Sequence, residues 1–224
     1  MPKVSVIIPV YGVEKYIERC ARSLFEQTLD DIEYLFVDDC TPDKSIEILK
    51  RVLEEYPQRK DQVVIHRMEQ NSGQAKVREW GMRNATGEYV IHCDSDDWVD
   101  RELYETMYKA AVRSNADIVK CPICDEYKDG SVMRPFNNLP SSCNEILENW
   151  WYNSVGMFCW NKMVRRSVYT NNELVSFDGI NMWEDNGLMT RIYYHSHSVC
   201  FIHSKYYHYN RMNVNAMTAG YGSV

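Results

Sequence analysis

The chain has 224 residues, which suits one large domain or one domain with a small appendage, and its 45% hydrophobic residues can fill a sizeable core. Its net charge of −7 argues against a general nucleic-acid-binding protein, which would present a basic face, so we expect no nucleic-acid partner. No run of about 18 apolar residues occurs, so we expect no membrane-spanning helix.

The N-terminus, Met1-Pro2-Lys3-Val4, leads straight into a strand pattern and lacks the features of a secretory signal peptide. We therefore expect a cytoplasmic protein whose eight cysteines are reduced and mostly buried. Peripheral association with the inner face of a membrane stays open.

The first half of the sequence alternates short β-branched runs with amphipathic segments. The predicted strands cover 4–9, 32–37, 63–67, 89–93 and 118–121. The predicted helices cover 13–25, a segment that starts at Thr41-Pro42, 74–85 and 103–112. Thr41 suits an N-cap with Pro42 in the first helical position, and Asp100 suits the cap of the helix that follows it.

This alternation of strands and helices predicts an α/β fold with right-handed crossovers and a mostly parallel sheet. Ligands of such sheets bind beyond the carboxyl ends of the strands. Three polar or acidic clusters fall at those ends: Pro9 to Tyr11, Asp38-Asp39 and Asp94 to Asp97. Because the clusters come from separate strands yet should meet at one rim, their convergence is a stronger signal than any one of them.

The second half of the sequence is less regular. Its predicted elements are a hairpin turn at 128–131, a short helix at 144–151, a strand at 160–164, a helix at 186–194 and a strand at 199–203. No internal repeat, low-complexity segment or convincing linker is present. We therefore expect a single domain.

The turn Asp94-Ser95-Asp96-Asp97 places three carboxylates in four residues directly after an apolar run. Repulsion and desolvation raise the pKa of such groups unless a cation lies among them, and a divalent cation with oxygen ligands is the usual partner. We expect Asp96 to bind Mg²⁺ or Mn²⁺, Asp94 to bind a ribose hydroxyl or the metal, and Ser95 to line the same site. The alternative, capping of the next helix, needs only one carboxylate.

Asp38 and Asp39 end the second predicted strand. One of them could be a turn residue that accepts backbone N–H bonds. Two together favour recognition, because a carboxylate can accept the imide N–H of uracil. Tyr11 could then stack on that base, with Pro9 nearby on the first strand.

Two later polar groups each allow a structural and a functional interpretation. Glu184 and Asp185 could cap the following helix, or one of them could act as a general base if the fold brings it to the rim. His208 and Arg211 could stabilise the charge of a leaving diphosphate, or could simply end a surface strand.

Trp150, Trp151, Trp160 and Trp183 could form a groove that stacks on sugars, although core packing would account for about half of the aromatic residues. Cys121 and Cys124 have the spacing of a zinc or redox motif, but no second Cys-x-x-Cys supplies further ligands. No Gly-x-Gly-x-x-Gly follows the first strand, which disfavours a dinucleotide-dependent oxidoreductase.

The motifs of residues 3–115 resemble those of the family 2 glycosyltransferases, which have the GT-A fold. The resemblance rests on the motifs Val4 to Tyr11, Val37 to Asp43, Asn71-Ser72-Gly73, Ala85 to Tyr89 and Asp94 to Asp97. Weaker similarity continues through Trp160-Asn161-Lys162, Glu184-Asp185 and the segment from Tyr207 to Thr218.

The resemblance implies an inverting transferase that uses a divalent metal to move a sugar from a UDP-sugar, or a similar nucleotide sugar, to a glycan or lipid-linked acceptor in polysaccharide synthesis. Residues 1–115 would bind the nucleotide sugar and residues 116–224 the acceptor. By position, Asp39 would bind the base, Asp94 and Asp96 would form the Asp-x-Asp motif, and Asp185 would be the catalytic base.

Two segments depart from the family's usual pattern. Cys40-Thr41-Pro42 stands where Gly-Ser-Thr is common, and Val77-Arg78-Glu79 stands where Ala-Arg-Asn is common, with Arg78 counted among the substrate-binding residues. Two other functions stay open: a catalytically silent subunit that binds nucleotide sugars, and a glycoside hydrolase with paired carboxylates.

Overall fold

A computed structural model describes residues 1–134, 136, 139–149, 156–177, 179–180, 183–214 and 216. The strands within these ranges are β1 Val4–Val10, β2 Ile32–Asp38, β3 Val63–Arg67, β4 Tyr89–His92, β5 Trp98–Val99, β6 Ile118–Lys120, β7 Ile123–Tyr127, β8 Gly130–Arg134, β9 Lys162–Arg165, β10 Val199–Phe201 and β11 Tyr207–Asn210. The helices are α1 Ile17–Phe25, α2 Ser45–Glu54, α3 Gln74–Asn84, α4 Leu103–Ser114, α5 Cys143–Glu148, α6 Arg166–Asn171 and α7 Glu184–His195, with a 3-10 helix at Pro57–Gln62.

The larger sheet has the strand order β10-β6-β9-β4-β1-β2-β3. Strands β4, β1, β2 and β3 are parallel, and β9 lies antiparallel between β4 and β6. The apolar runs of β1 and β4 are buried because helices cover both faces of the sheet. Strands from both halves of the chain therefore share one sheet, as an α/β fold with a mostly parallel sheet predicts.

The core has two parts, one on each face of this sheet. Helices α1, α2 and α4 pack on one face, and α3, α5, α6 and α7 pack on the other. The carboxyl ends of β1, β2 and β4 lie at one edge, where α3 and α7 begin on the same side of the sheet.

A smaller sheet has the order β5-β11-β7-β8. Strands β7 and β8 form a hairpin in which Tyr127 pairs with Gly130, so the predicted turn at 128–131 is confirmed. Strand β11 pairs antiparallel with β5 and parallel with β7. This pairing brings the segment after Tyr207 against the acidic turn that follows β4.

Two predicted helix caps are wrong. Helix α2 begins at Ser45 rather than next to Thr41, because Asp43 accepts hydrogen bonds from the backbone and hydroxyl of Ser45. The hydroxyl of Thr41 instead accepts a bond from the backbone of Gly12. Helix α4 begins at Leu103, and the carboxylate of Asp100 binds the backbone N–H of Tyr206 at 2.7 Å. At Asp100 a contact distant in sequence replaces the local cap, whereas at Thr41 the distant contact with Gly12 acts together with the local bonds of Asp43.

Among the helices of the described ranges, none is both long and apolar enough to cross a membrane.

Candidate functional site

The polar clusters that follow β1, β2 and β4 meet at one edge of the larger sheet. The acidic turn, residues 94–97, is closed by a bond from the backbone N–H of Asp97 to the carbonyl of Asp94 at 3.1 Å. Behind it, the thiols of Cys20 and Cys93 lie within 3.8 Å of the same carbonyl oxygen. The turn is therefore packed against the core, although it consists mostly of carboxylates.

Arg78 is the centre of the site. Its guanidinium, on α3, is only 2% exposed and binds Glu184 at 2.6 Å, Asp185 at 2.7 Å and Asp94 at 2.8 Å. Burial by itself lowers the pKa of Arg78, but the three carboxylates outweigh that effect and raise this pKa well above its ordinary value. One fixed cation thus joins α3, the start of α7 and the acidic turn.

The carboxylates around Arg78 remain in excess over its single charge. Burial raises the pKa of Asp94 to about 6, because Arg78 offsets only part of the desolvation and the charges of Asp96 and Asp185 add to it. Burial also raises the pKa of Glu184 to about 6. A further cation at this edge of the sheet would relieve both effects.

Asp185 is the more accessible member of the Glu184-Asp185 pair. Its side chain is 17% exposed, against 7% for Glu184. Besides its bond to Arg78, it accepts the backbone N–H of Cys159 at 3.3 Å. Its place in the first turn of α7 also suits a negative charge. The fold brings Asp185 to the edge of the sheet where the polar clusters meet, and its role as general base stays a prediction.

At the other end of the acidic turn the carboxylates accept bonds from neutral groups, while the guanidinium of Arg19 donates to the backbone carbonyl of Asp96 at 3.4 Å. The carboxylate of Asp97 accepts the hydroxyl of Tyr207 and the backbone N–H of Asn210, each at 2.7 Å. One oxygen of Asp96 accepts the side-chain amide of Asn213 at 2.7 Å. Burial, together with the charges of Asp96 and Asp94, raises the pKa of Asp97 well above its ordinary value. Both oxygens of Asp97 are used, so this residue supports the turn.

The remaining oxygens of Asp94 and Asp96 suit a divalent cation. Oδ2 of Asp94 and Oδ1 of Asp96 accept no hydrogen bond from the side chains of the described residues. Carboxylate oxygens are the ligands that Mg²⁺ and Mn²⁺ prefer. Within the described ranges no third Cys, His, Asp or Glu joins this pair as a ligand group. Further ligands of a bound ion could then be oxygens from a substrate or from water.

Asp39 and Tyr11 lie side by side at the ends of β2 and β1. The backbone N–H of Asp39 binds the carbonyl of Val10 at 3.1 Å, and Tyr11 is 51% exposed. The carboxylate of Asp39 accepts the backbone N–H groups of Ser72 and Gly73, at 2.7 and 2.9 Å. It thus fixes the loop before α3, while recognition of a base by this pair stays a prediction.

Asp38 holds the turn after β2. Its oxygens accept the backbone N–H of Thr41 at 2.7 Å and a bond from Arg67 at 3.0 Å. These contacts match the turn-residue interpretation. Pro9 lies within β1 opposite Val37, and Ser95 is a 5% exposed residue of the acidic turn. No contact in the structure indicates whether Asp38, Pro9 and Ser95 bind a substrate.

His208 is bound by carboxylates of the smaller sheet. Its Nδ1 lies 2.7 Å from Glu126 and its Nε2 lies 3.2 Å from Asp100, while its ring stacks on Trp98. Cys124 joins Glu126 and His208 in a group whose ligand atoms lie within 4.8 Å of one another. Hydrogen bonds within the group account for its geometry, so we assign no metal to it.

Arg211 also lies on the smaller sheet. It donates through Nε to Asp125 at 2.7 Å, and Arg134 binds the same buried carboxylate. Its side chain is 34% exposed. The structure binds His208 to Glu126 and Arg211 to Asp125, which are successive residues of β7, so the two side chains contact carboxylates other than those of the acidic turn.

The four tryptophans of the predicted groove have different surroundings. Trp160 is buried and stacks on Tyr207 and Tyr209. Trp183 is 65% exposed directly before Glu184. Trp150 and Trp151 lie outside the described residues.

Several residues that shape the site were missed by sequence reasoning. They are Gln74, Cys159, Tyr207, Asn210 and Asn213. None is ionised, and Cys159 acts through its backbone N–H, so no charge pattern indicates them. The position of Tyr207, Asn210 and Asn213 in the late weak motif offered a signal.

Comparison with known proteins identifies relatives of this chain. Residues 5–171 match the model of Glycosyl transferase family 2. Over 230 aligned residues the chain is 30% identical to the putative glycosyltransferase EpsH of Bacillus subtilis (strain 168). This alignment covers 98% of the chain but 64% of EpsH, so the chain spans slightly less than two thirds of that relative.

Solved structures show the same fold. TarS 1–349 of S. aureus, in complex with UDP-GlcNAc, superposes with a TM-score of 0.83 at 21% identity, over 99% of this chain and 62% of that one. The mannosyltransferase PcManGT from Pyrobaculum calidifontis, in complex with GDP-Man and Mn²⁺, gives a TM-score of 0.68 at 17% identity, over 92% and 56%. The predicted GT-A architecture is confirmed.

Proposed function

Because this chain belongs to glycosyl transferase family 2, we propose that it is the catalytic part of an enzyme that moves a sugar from a nucleotide sugar to a glycan or lipid-linked acceptor in polysaccharide synthesis. The observation that carries the proposal is the cluster around Arg78. It connects Asp94, beside the predicted nucleotide site, with Asp185, the predicted base, through one buried guanidinium. In this proposal residues 1–115 bind the donor and residues 116–224 bind the acceptor.

The proposed donor is a UDP-sugar. Tyr11 would stack on the uracil, and Asp39 would accept its imide N–H. Each oxygen of Asp39 accepts one backbone N–H in the structure and has a second lone pair for the base. The UDP-GlcNAc complex of TarS supports this choice of donor.

Asp94 and Asp96 would hold Mg²⁺ or Mn²⁺, and the Mn²⁺ in the PcManGT complex supports this assignment. When bound, the ion supplies charge neutralisation for the departing diphosphate. Arg211, with a side chain 34% exposed, would add a donor for the same diphosphate, and His208 would lie on the same strand end. No bond from either side chain to Asp94 or Asp96 is present in the described part of the chain, so their role rests on the late motif.

Asp185 would remove the proton of the acceptor hydroxyl. The oxygen would then attack the anomeric carbon on the face opposite the diphosphate, so the sugar is transferred with inversion. Arg78 and the backbone N–H of Cys159 fix the orientation of this carboxylate from two sides. General-base assistance of this kind contributes about 10²–10⁴-fold to the rate.

The variant Asp185→Asn tests the proposal. We expect it to lose at least about 10²-fold in transfer from UDP-GlcNAc while UDP binding, followed by calorimetry with Mn²⁺, is retained. Asp129→Asn, in the β7–β8 turn, is the matched control and should transfer normally. Normal turnover by Asp185→Asn would remove this residue from the mechanism.

The same assay separates the two other functions. A glycoside hydrolase would release free sugar in the absence of an acceptor. A silent subunit would bind nucleotide with either variant and transfer nothing.

A further inference from the structure

Large apolar side chains stand exposed around the first turn of α7. Phe158 is 39% exposed, Phe177 48%, Ile180 45% and Trp183 65%. An apolar group of this size next to a polar site commonly marks a surface that binds a ligand. We use the name aromatic rim for Phe158, Phe177 and Trp183.

Each member of the aromatic rim adjoins the residue pair that contains the predicted base, adjoins a residue that binds that base, or packs on the helix that carries it. Trp183 directly precedes the Glu184-Asp185 pair. Phe158 precedes Cys159, whose backbone N–H binds Asp185 at 3.3 Å. Phe177 packs on the helix itself, since a Cβ atom added to Gly187 would come within 2.9 Å of its ring. The three side chains therefore come from backbone that adjoins Asp185 or packs on its helix.

The backbone of Trp183 is in an unfavourable conformation. Its φ of 64° and ψ of 18° are left-handed, which bulky side chains rarely adopt. Its carbonyl accepts the N–H of Asn186 at 3.0 Å, which closes the first turn of α7. A tryptophan that is both strained and exposed adds little to the stability of the folded chain. Such an outlier beside a reacting group points to a function in binding.

The charges beside the rim restrict what it can bind. Asp94, Glu184 and Asp185 together carry more negative charge than Arg78 neutralises. Arg191 stacks on Phe177 at 4.1 Å, but its guanidinium donates to backbone carbonyls. The ion proposed on Asp94 and Asp96 would offset this charge for the diphosphate of the donor, whereas a phosphate of the acceptor beside Asp185 would face the carboxylates directly.

We propose that the aromatic rim is the acceptor subsite and that Trp183 selects an uncharged sugar ring as the acceptor. This inference rests on the proposed glycosyl transfer. A pyranose has an apolar face of C–H groups, which suits an indole, and hydroxyl groups at its edge, which suit carboxylates. Stacking on Trp183 would direct one ring hydroxyl to Asp185.

A binding experiment tests the rim without knowledge of the donor sugar. Saturation-transfer-difference NMR would be recorded on the full chain with UDP and Mn²⁺. The probes are the methyl β-glycosides of glucose, galactose and N-acetylglucosamine, with ribitol 5-phosphate and dihexanoyl phosphatidylcholine as the polyol phosphate and lipid probes. We expect saturation of the ring protons of at least one glycoside and none of ribitol phosphate or lipid.

Three variants identify the contact. Trp183→Ala should reduce the glycoside signal about tenfold, and Trp183→Phe should restore most of it, because an aromatic face remains. Tyr127→Ala removes an aromatic side chain of similar exposure, 48%, from the tip of the β7–β8 hairpin and should change nothing. The UDP signals should be equal in all four proteins.

Three results would overturn the proposal. The first is glycoside signals that survive Trp183→Ala, and the second is a Trp183-dependent signal from ribitol phosphate or lipid instead of a glycoside. Absence of every glycoside signal in the unmodified chain would overturn it as well. Failure of the proposed glycosyl transfer has a different signature, which is the absence of UDP saturation in all four proteins.

Discussion

The two ends of the acidic turn are stabilised in different ways. Asp94 at one end binds the buried cation Arg78, which also binds two carboxylates of α7. The carboxylates of Asp96 and Asp97 at the other end are bonded by neutral groups, an amide and a hydroxyl among them. A fixed protein cation joins helices, whereas neutral donors hold a carboxylate in place without neutralising its charge. Both ends therefore keep negative charge for an added cation, because three carboxylates share one guanidinium at the first end and an amide leaves Asp96 unneutralised at the second.

The largest effect is expected at the Arg78 end. Arg78→Met leaves three carboxylates close together without their common cation, which should cost about 3–5 kcal/mol of unfolding free energy and abolish transfer. Urea unfolding measures the loss. Arg83→Met removes an exposed arginine from the same helix, where it pairs with Glu79, and should cost far less. Equal losses of unfolding free energy in the two variants would contradict the conclusion that Arg78 holds the three carboxylates together.

The next effect concerns the cation that the Asp96 end would bind. Asp96→Asn keeps the size of the side chain but removes its charge, so the gain in UDP affinity on adding Mn²⁺ should fall by about 10–100-fold. Removal of the metal by EDTA should abolish the difference between this variant and the unmodified chain. Calorimetry with and without Mn²⁺ measures both, and unchanged metal-dependent affinity would exclude Asp96 as a ligand.

A smaller effect is expected from the hydroxyl that closes the turn. Tyr207→Phe removes the bond to Asp97 and the acceptor for the backbone N–H of Asp94, which should cost about 1–3 kcal/mol of stability. Tyr193→Phe is the control, because the hydroxyl of this buried tyrosine has no partner among the described residues. If both variants lose the same stability in thermal or urea unfolding, the bond to Asp97 contributes nothing specific.

The smallest effect lies away from the turn, at two buried lysines of β6 and β9. Burial, with a lesser contribution from Lys162, lowers the pKa of Lys120 to about 6. Above that pH the folded chain holds Lys120 uncharged while the unfolded chain still binds the proton, so stability should rise with pH from about 6 towards 10. Lys120→Met should flatten this rise between pH 6 and 8 in urea unfolding, and an unchanged slope would exclude the lysine.

The sequence predicts the parts of the fold that depend on local pattern. Strands β1 to β4 and helices α3 and α4 follow from apolar periodicity, and the carboxyl-end rule brings Asp39 and Asp94 to one edge. The bond between Arg78 and α7 could not be derived in that way, because it depends on the packing of two helices 106 residues apart in the chain. Strand β5 has only two residues, too few for any periodicity.

The helix caps show the same limit. Thr41 and Asp100 have the side chains of caps, and local preference assigns them that role. In the folded chain both are used by contacts with segments distant in sequence, Gly12 and Tyr206. Preferences of about 1 kcal/mol are overridden when a side chain gains a partly buried hydrogen bond elsewhere.

The pairing of β11 with the acidic turn has a consequence for biosynthesis. Residues 1–92 contain β1 to β4, which are neighbours in the larger sheet, so this part can form while the rest of the chain is still being translated. The bond between Asp97 and Tyr207 can form only after Tyr207 has been synthesised, 110 residues later. Contacts so distant in sequence form slowly. A nascent chain would thus acquire its sheet early and the geometry of its acidic turn last, after β11 has left the ribosome.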